Sequence, residues 1–267
     1  MRLFLGSLPV VLCLALPGCV QWGTVKPVVR TDVTVAEFAA TPAPVPETVR
    51  AADVIYVGEI HDDSGHHAYE AKLIQTLAQA RLPFVVGWEM FGRSQQALLD
   101  RYDRHRLSQL QLIRATGFQR SWAVYSPWYG RILEETRRYK IANLPLNAAP
   151  ALVHKVARGE PLTPEEQAQL PKGFHAQKGA FQNFAAMMGA HPGVGTGDLH
   201  RFFAAQSVWE QTMAAAIVEF RVAHPSTRVV VLTGRGHLQD GFGIPAYVAQ
   251  KLNVHQLVLF PRSQADR

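Results

Sequence analysis

The chain has 267 residues, of which 48% are hydrophobic, and its formal net charge is +6. This length suits one large domain or two small ones, and the hydrophobic fraction is ordinary for a packed core. The basic residues are scattered and form no nucleic-acid-binding motif, so no nucleic-acid partner is expected. No apolar run of membrane-spanning length follows the first twenty residues.

The N-terminus has the features of an export signal. Arg2 precedes an apolar run over residues 3–16, and the run is followed by the small residues of LPGC. This ending resembles a bacterial lipobox, so residues 1–18 are predicted to be a lipoprotein signal peptide and Cys19 to carry the lipid. A simple signal peptide that is cut nearby is the alternative. The chain has two cysteines: Cys13 lies inside the signal, and Cys19 would carry the lipid. The mature chain would therefore keep no thiol for a disulfide, a metal site or a nucleophile.

A proline-rich stretch precedes the predicted domain. Residues 19–48 include TPAPVPET and are rich in Pro, Val and Thr, which predicts a flexible tether between the anchor and the domain. Residues 49–267 are then predicted to form a single folded domain.

Strand-like and helix-like patterns alternate along this domain. The apolar runs typical of strands are DVIYVG, PFVVGWEMF, KIANLPL, TRVVVLTG and HQLVLF. Helical spacing predicts helices over residues 65–81, 94–106, 198–222 and 244–252, and a largely helical section over 107–190. Ser94 is the predicted N-cap of the second helix, and TPEEQAQL places Thr163 in a capping box with Glu166.

The alternation predicts an α/β fold with a mostly parallel central sheet, helices on both faces and a helical middle insertion. Ligands of such sheets bind beyond the carboxyl ends of the strands. Two strands end in the same Gly-x-x-His pattern, at Gly58 to His61 and at Gly234 to His237, and both lead into a helix. Each glycine lets the backbone turn sharply off its strand. The match predicts an internal duplication of a strand-GxxH-helix unit.

Four polar residues are predicted to share a crevice at this edge of the sheet: Glu59, His61, Glu89 and His237. All four lie at or just after the end of a predicted strand. Imidazoles with carboxylates suit a divalent metal such as Zn or Mn. A carboxylate beside a histidine is also a general-base arrangement. The plainer alternative is that these side chains bind the amides of the loops.

Several motifs, in order, resemble those of the ChaN-like haem-binding lipoproteins. They are GEIHD…HH after the first strand, EMF…Q from Glu89, W..Y.P from Trp122, Q…W…MA…I from Gln206 and GRGH…G.GIP from Gly234. The resemblance spans residues 54–260. The family shares a superfamily with the Tiki and TraB proteins and the erythromycin esterases, whose members include metal-dependent proteases and His/Glu-dependent esterases, so family alone does not fix the chemistry.

The resemblance implies a haem-binding lipoprotein that serves haem and iron acquisition, without catalytic turnover. Haem would lie between the two copies of a haem-dependent homodimer, with a tyrosine on the iron and basic side chains of the partner on the propionates. A phenolate is a hard anionic donor that favours ferric iron. The residue after Cys19 is Val20 and not the Asp often associated with inner-membrane retention, which favours an anchor in the outer membrane, facing the periplasm. A TonB-dependent outer-membrane haem receptor is an implied partner.

The candidate haem-binding residues are Tyr69, Tyr125, His66, His67 and Lys72. Tyr69 and Tyr125 are the candidate iron ligands, and Tyr129 is nearly as good. The adjacent His66 and His67 cannot face the same way, so one is expected to contact haem and the other to lie at the surface. Lys72 is the candidate partner of a propionate. The aromatic residues expected to line the haem groove are Trp122, Trp128, Phe181 and Phe184.

A second function class stays open. The chain could be a metal-dependent or His/Glu-dependent periplasmic hydrolase that cleaves peptides or esters, with the four strand-end residues as ligands or acid–base groups. A third hypothesis is that the chain is a lipoprotein that only bridges an outer-membrane receptor and its neighbours.

Overall fold

The structure, a computed structural model, describes residues 26–34, 44–122, 127–188, 196–239 and 241–262. Within these ranges six strands form one sheet: β1 (Val28–Val33), β2 (Val54–Glu59), β3 (Phe84–Gly92), β4 (Asn143–Asn147), β5 (Arg228–Gly234) and β6 (Gln256–Pro261). The helices of the same ranges are α1 (Glu47–Ala51), α2 (Ser64–Gln79), α3 (Gln96–Asp103), α4 (Gln109–Thr116), α5 (Phe118–Ser121), α6 (Pro127–Arg138), α7 (Pro150–Arg158), α8 (Pro164–Ala168), α9 (Ala180–Met188), α10 (Thr196–Ala223) and α11 (Gly243–Ala249). None of these helices combines the length and the apolarity that a membrane-spanning segment needs.

The strands lie in the order β1-β6-β2-β5-β3-β4, and every pair is parallel. All six residues of β2 are buried, as are six of the seven residues of β5. A continuous apolar run suits a strand that is covered on both faces, which is why these two segments occupy the middle of the sheet. The predicted α/β fold with a parallel sheet is confirmed.

Helices cover both faces of the sheet, and each face has its own hydrophobic core. Ile55 and Val57 of β2 belong to a core that includes residues of α2, α3 and α6. Val54 and Tyr56, their neighbours in the same strand, belong to a core that includes residues of α10 and α11. This alternation follows from the two-residue period of a strand, which sends successive side chains to opposite faces.

The structure corrects the predicted tether. Residues Val28–Val33, which fall inside the predicted flexible segment 19–48, form β1 and pair in parallel with β6 from Val28↔Gln256 to Val33↔Pro261. Val33 is buried against the sheet. Without β1, the outer edge of β6 would expose unpaired backbone amides and carbonyls, and pairing satisfies them. The tether therefore cannot extend unstructured through these residues.

Of the two predicted helix caps, one is confirmed and one is wrong. Thr163 caps α8 as predicted, and its hydroxyl accepts from the Glu166 amide while the Glu166 carboxylate accepts from the Thr163 amide. The Ser94 cap is wrong, because Ser94 lies inside a 3-10 turn, Arg93–Gln95, and α3 begins after it. The middle section is largely helical, but its predicted strand is β4, a member of the central sheet.

Gly58 is required by close packing at the end of β2. A Cβ there would lie 2.8 Å from the Phe260 ring and 3.0 Å from Leu238. Gly58→Ala is therefore expected to lower the free energy of unfolding by about 1–3 kcal/mol, as overpacking does in other cores. Gly236→Ala is the matched control, since a Cβ at that position meets nothing within 4 Å. Urea denaturation of both variants measures the effect, and equal stabilities would contradict this packing.

Candidate functional site

The two Gly-x-x-His segments meet at the carboxyl edge of the sheet because β2 and β5 are neighbours. Their register places Glu59 directly opposite Gly234. The His61 imidazole lies so near the β5 backbone that a Cβ on Gly234 would be 2.9 Å from its Nε2 atom. Gly234 therefore admits the ring of His61, and His237 follows three residues later in a 3-10 turn. The structure thus brings His61 and His237 to one edge, as the sequence predicted.

Glu89 lies where the pairing of β3 with β4 becomes irregular, between Trp88 and Gly92. Such irregularities redirect side chains near functional sites. One carboxylate oxygen, Oε2, accepts from the Thr233 hydroxyl at 2.6 Å and from the Gly234 amide at 2.7 Å. Burial alone would raise the pKa of Glu89, but the charge of His237 and hydrogen bonds to the carboxylate lower it to about 2. Glu89 is therefore a buried anion that spans β3 and β5.

His237 lies between two carboxylates. Its Nε2 is 3.4 Å from Glu89 Oε1, and its Nδ1 is 3.4 Å from Glu210 Oε1 on α10. Burial would lower the pKa of His237, but the charge of Glu89 and the hydrogen bond to Glu210 raise it to about 10. The Gln206 amide nitrogen lies 2.9 Å from the same Nδ1. An amide nitrogen can only donate, and a protonated His237 ring also carries a proton on Nδ1. When His237 is charged, the amide nitrogen of Gln206 must therefore turn away from Nδ1.

Glu59 and His61 form a second histidine–carboxylate pair. His61 Nδ1 lies 2.7 Å from Glu59 Oε1, and the Tyr129 hydroxyl donates to the same oxygen. Burial would raise the pKa of Glu59, but hydrogen bonds from His61 and His67 hold it well below its usual range. The hydrogen bond to Glu59 raises the pKa of His61 against the opposing effect of burial. With 41% of its side chain exposed, His61 is the member of this pair that solvent reaches, and it packs edge-on against Trp122 with ring centroids 5.0 Å apart.

A buried cluster of Glu59, His67 and Glu70 lies behind this pair. His67 Nδ1 is 2.9 Å from Glu70 Oε2 and 3.3 Å from Glu59 Oε2, and ligand atoms of all three lie within 4.8 Å of one another. Burial raises the pKa of Glu70 well above its usual range. Hydrogen bonds to both carboxylates raise the pKa of His67 to about 10, although burial opposes this. Glu70 Oε1 is buried without a hydrogen-bond partner among the described residues.

The four predicted strand-end residues therefore divide into two pairs, Glu59 with His61 and Glu89 with His237. Within the described residues, the one group that could hold a metal ion by its spacing is instead Glu59 with His67 and Glu70. Charge interactions still connect the pairs, because both Glu89 and His237 act on the pKa of His61.

Asp63, His66 and His67 hold the β2–α2 loop in place. Asp63 caps α2 and accepts from the amides of Gly65 and His66. The Ile60 amide donates to His66 Nδ1 at 2.9 Å, and His67 Nε2 lies 2.9 Å from the His61 carbonyl. The expectation that either His66 or His67 lies at the surface is wrong, since both are fully buried. Their imidazoles support the backbone that carries His61.

The other candidate haem residues lie in different surroundings. Tyr69 is 1% exposed and belongs to the core between the sheet and α2. Lys72 is half-buried on α2. Tyr125 and Cys19 lie outside the described residues. The assignment of all these residues to haem or lipid stays a prediction.

Sequence reasoning missed Glu70 and Glu210 and did not place Tyr129 in the strand-edge site. Glu70 follows His67 by three residues and Glu210 follows Gln206 by four, so each pair lies on one helix face. These spacings were a readable signal. Nothing local in the sequence indicates that the Tyr129 hydroxyl would reach Glu59 from α6.

A narrow apolar cleft borders the His237 side of the edge, between α9, α10 and the start of α11. Its apolar walls include Phe184, Met187, Phe203, Phe242 and Tyr247. Gln206 and Glu210, which contact His237, also line it. The aromatic residues predicted to form one groove are thus divided: Phe184 lines this cleft, Phe181 stacks on His200, Trp122 contacts His61 and Trp128 lies beneath Arg131.

Glu89→Gln is expected to lower the pKa of His237 toward its ordinary value of 6.5, because it removes the charge that stabilises the imidazolium. Since the folded-state pKa is raised, the charged His237 stabilises the fold fully below pH 6.5, and this contribution is lost as the pH rises through about 10. The difference in free energy of unfolding between the wild-type chain and Glu89→Gln should therefore narrow from pH 6.5 to 10.

Imidazole NMR titration measures the pKa of His237, and urea denaturation at several pH values measures the free energy of unfolding. Glu219→Gln is the control, because Glu219 is exposed on α10 and pairs with Arg93. An unchanged His237 pKa in Glu89→Gln would show that this carboxylate does not stabilise the imidazolium.

Among solved structures, the chain is similar to ChaN of Campylobacter jejuni, described with cofacial haem binding, at 20% sequence identity and a TM-score of 0.60. That match covers 81% of this chain and 84% of the ChaN chain. The chain is also similar to a mutant of the erythromycin esterase EreC in its open conformation, at 14% identity and a TM-score of 0.49, over 80% of this chain and 71% of the esterase. At 20% identity, the likeness to ChaN shows a shared fold alone.

No curated protein sequence matches the chain significantly. A family model described as haem-binding uptake, Tiki superfamily, ChaN matches residues 45–248, which is well over half of the chain. The matched region runs from just before α1 into the last turn of α11 and contains every residue of the strand-edge site. The chain therefore belongs to the ChaN family of haem-binding uptake proteins in the Tiki superfamily.

Proposed function

We propose that the protein binds haem at the cell envelope, as a lipid-anchored outer-membrane protein of iron acquisition that passes haem to or from a TonB-dependent receptor. The observation that carries the proposal is the family match over residues 45–248. Haem would lie between two copies of the chain, with a tyrosine on the iron and Cys19 as the anchor.

The described residues suit a flat apolar ligand beside the strand-edge site. The cleft between α9 and α10 is lined by aromatic side chains, as ligand pockets for apolar molecules are. Phe184, Phe203 and Phe242 would contact the porphyrin. The cleft is open on one side, which agrees with a ligand that a second copy completes. Bound haem would supply a ferric ion, which an anionic oxygen donor of the chain would bind.

Burial distinguishes between the candidate tyrosines. A ligand to haem at an interface between copies must be reachable from the surface. Tyr69 and Tyr129 are at most 1% exposed, and the Tyr129 hydroxyl already donates to Glu59. Tyr125 follows Trp122, which contacts His61 at the sheet edge, by three residues. We therefore assign the iron to Tyr125.

Hemin titration of the purified chain tests this assignment. The wild-type chain should give a saturable Soret change at one haem per chain, and Tyr125→Phe should weaken binding at least tenfold, because the anionic donor to ferric iron is lost. Tyr139→Phe is the matched control, since Tyr139 is half-buried on another part of the surface, where its hydroxyl accepts from Gln79. Sedimentation with and without hemin should show that haem drives dimer formation.

A wild-type chain that gives no Soret change at micromolar concentration would reject haem binding. Normal binding by Tyr125→Phe together with loss in Tyr69→Phe would move the ligand to Tyr69. Equal binding by all variants would reject a tyrosine ligand.

A second candidate function is hydrolysis of esters or peptides at the Glu59–His61 pair. The favouring observation is geometric: Glu59 holds His61 through Nδ1, and the imidazole is exposed beside Trp122. A carboxylate that orients a histidine in this way prepares its other nitrogen to take a proton from water. The water oxygen would then attack the carbonyl carbon of the ester or peptide, and the protonated ring would return its proton to the leaving group.

His61→Asn and Glu59→Gln should each reduce kcat/KM on short esters or peptides at least about 100-fold if this pair is a general base, because such groups contribute that much to rate. Since the pKa of His61 is raised, activity should increase with pH above 6.5 as the ring loses its proton. His105→Asn, an exposed histidine with φ of 57°, is the control. Equal activity in all variants, or none in the wild-type chain, would exclude the hydrolase.

A further inference from the structure

The buried cluster of Glu59, His67 and Glu70 joins the end of β2 to the first two turns of α2. Glu59 is the last residue of β2, and His67 and Glu70 lie on α2. All three residues are at most 1% exposed. Glu70 has no part in the haem or hydrolase sites proposed above, so neither function explains why a second carboxylate is buried beside Glu59.

The hydrogen bonds of His67 direct its Nδ1 atom into the cluster. Its Nε2 lies 2.9 Å from the His61 carbonyl oxygen, which can only accept, so Nε2 carries a proton. In the neutral ring the lone pair is then on Nδ1, which faces the carboxylates of Glu59 and Glu70. Histidines that bind metal ions are commonly oriented in this way, with the other ring nitrogen donating to a main-chain carbonyl.

Glu59 is oriented as well. Its Oε1 accepts from the Tyr129 hydroxyl and lies 2.7 Å from His61 Nδ1. These partners lie on the outer side of the carboxylate. The other oxygen, Oε2, faces the cluster and lies 3.3 Å from His67 Nδ1.

The distances within the cluster suit a single metal ion. His67 Nδ1 lies 2.9 Å from Glu70 Oε2 and 3.3 Å from Glu59 Oε2, and ligand atoms of all three residues lie within 4.8 Å of one another. Two donor atoms bound to the same zinc ion at about 2.1 Å lie about 3.0–3.4 Å apart. Small shifts of the side chains would therefore bring all three onto one ion.

Glu70 provides the observation that points to a cation. Its Oε1 is buried and has no hydrogen-bond partner among the described residues. A proton on His67 Nδ1 would satisfy Glu70 Oε2 but would leave Oε1 unpartnered, which is unfavourable for a buried carboxylate. A divalent ion bound by both oxygens of Glu70 would satisfy Oε1 and would also neutralise the charges of the two carboxylates.

We propose that Glu59, His67 and Glu70 bind a divalent metal ion, Zn²⁺ or Mn²⁺, with Glu70 contributing both of its oxygens. Imidazole nitrogens and carboxylate oxygens are usual ligands of these ions. A site that is closed to solvent is typical of a structural ion, whereas a catalytic ion keeps a position open. The ion would fasten α2 to the end of β2 and would thereby fix the loop that carries His61.

Equilibrium dialysis with metal analysis tests the proposal. Because the site is closed, the chain is first refolded from urea in the presence of Zn²⁺ or Mn²⁺, so that the ion can enter during folding. With at least one of the two metals, the wild-type chain should bind one ion more than Glu70→Gln. The substitution should weaken binding at that site at least about 100-fold, since even the loss of a partner that only orients a ligand costs about 10- to 100-fold.

Glu135→Gln is the matched control. Glu135 is buried on α6, and its Oε2 also lacks a hydrogen-bond partner among the described residues, but it belongs to no group there with the spacing of metal ligands. This variant should bind as many ions as the wild-type chain. Equal binding by the wild-type chain, Glu135→Gln and Glu70→Gln, or no binding by the wild-type chain, would overturn the proposal.

Glu89→Gln locates the ion. It should bind metal like the wild-type chain, because Glu89 is not a ligand of the proposed site. Loss of the ion in Glu89→Gln together with its retention in Glu70→Gln would place the metal among the four strand-end residues and would overturn the proposal.

Imidazole NMR of the wild-type chain gives a second test that needs no variant to fold. One equivalent of Zn²⁺ should shift the resonances of His67 and leave those of the exposed His105 unchanged. Binding of Zn²⁺ without a shift at His67 would contradict the site. Neither measurement uses hemin or an ester, so the result is independent of both functions proposed above.

Discussion

The candidate site depends on one register, the parallel pairing of β2 with β5. It places Glu59 beside Gly234, and the missing side chain of Gly234 gives the His61 ring its space. Shifting a strand by one residue would send its side chains to the opposite face, so this pairing also fixes which residues enter the core. Glu89 then binds the β5 backbone at Gly234 and connects the two histidine segments. The register of β2 against β5 thus determines where the imidazoles of His61 and His237 lie.

Stability alone does not account for the number of charges at this edge. Glu59, Glu89 and His237 are nearly or fully buried, and the cost of removing such groups from water offsets much of their mutual attraction. Apolar side chains of similar volume would often serve the core as well. Strongly shifted pKa values in a cluster of this kind are typical of functional sites. The ordered support that His66 and His67 give to the same loop agrees with a site whose geometry must be kept.

The sequence predicted the parallel sheet well because four of its six strands, β2, β3, β5 and β6, are mostly apolar runs. It also predicted the convergence of His61 and His237, since parallel strands share a carboxyl edge. It failed for β1, where Arg, Thr and Asp interrupt the valines of VVRTDV and pairing on one side with β6 decides the structure. The partners of the histidines were harder still. Tyr129 and Glu210 reach the edge from helices distant in sequence, and only tertiary packing brings them there.

The inclusion of β1 in the sheet limits the length of any linker between the domain and a lipid anchor. With a lipid on Cys19, only residues 20–27 would lie between the anchor and Val28, a span of about 28 Å when fully extended. A globule of this size would then rest against the bilayer surface instead of ranging through the periplasm. Two neighbouring molecules would meet by lateral diffusion, with the same flank of each turned toward the lipid, so their encounter would be confined to a plane.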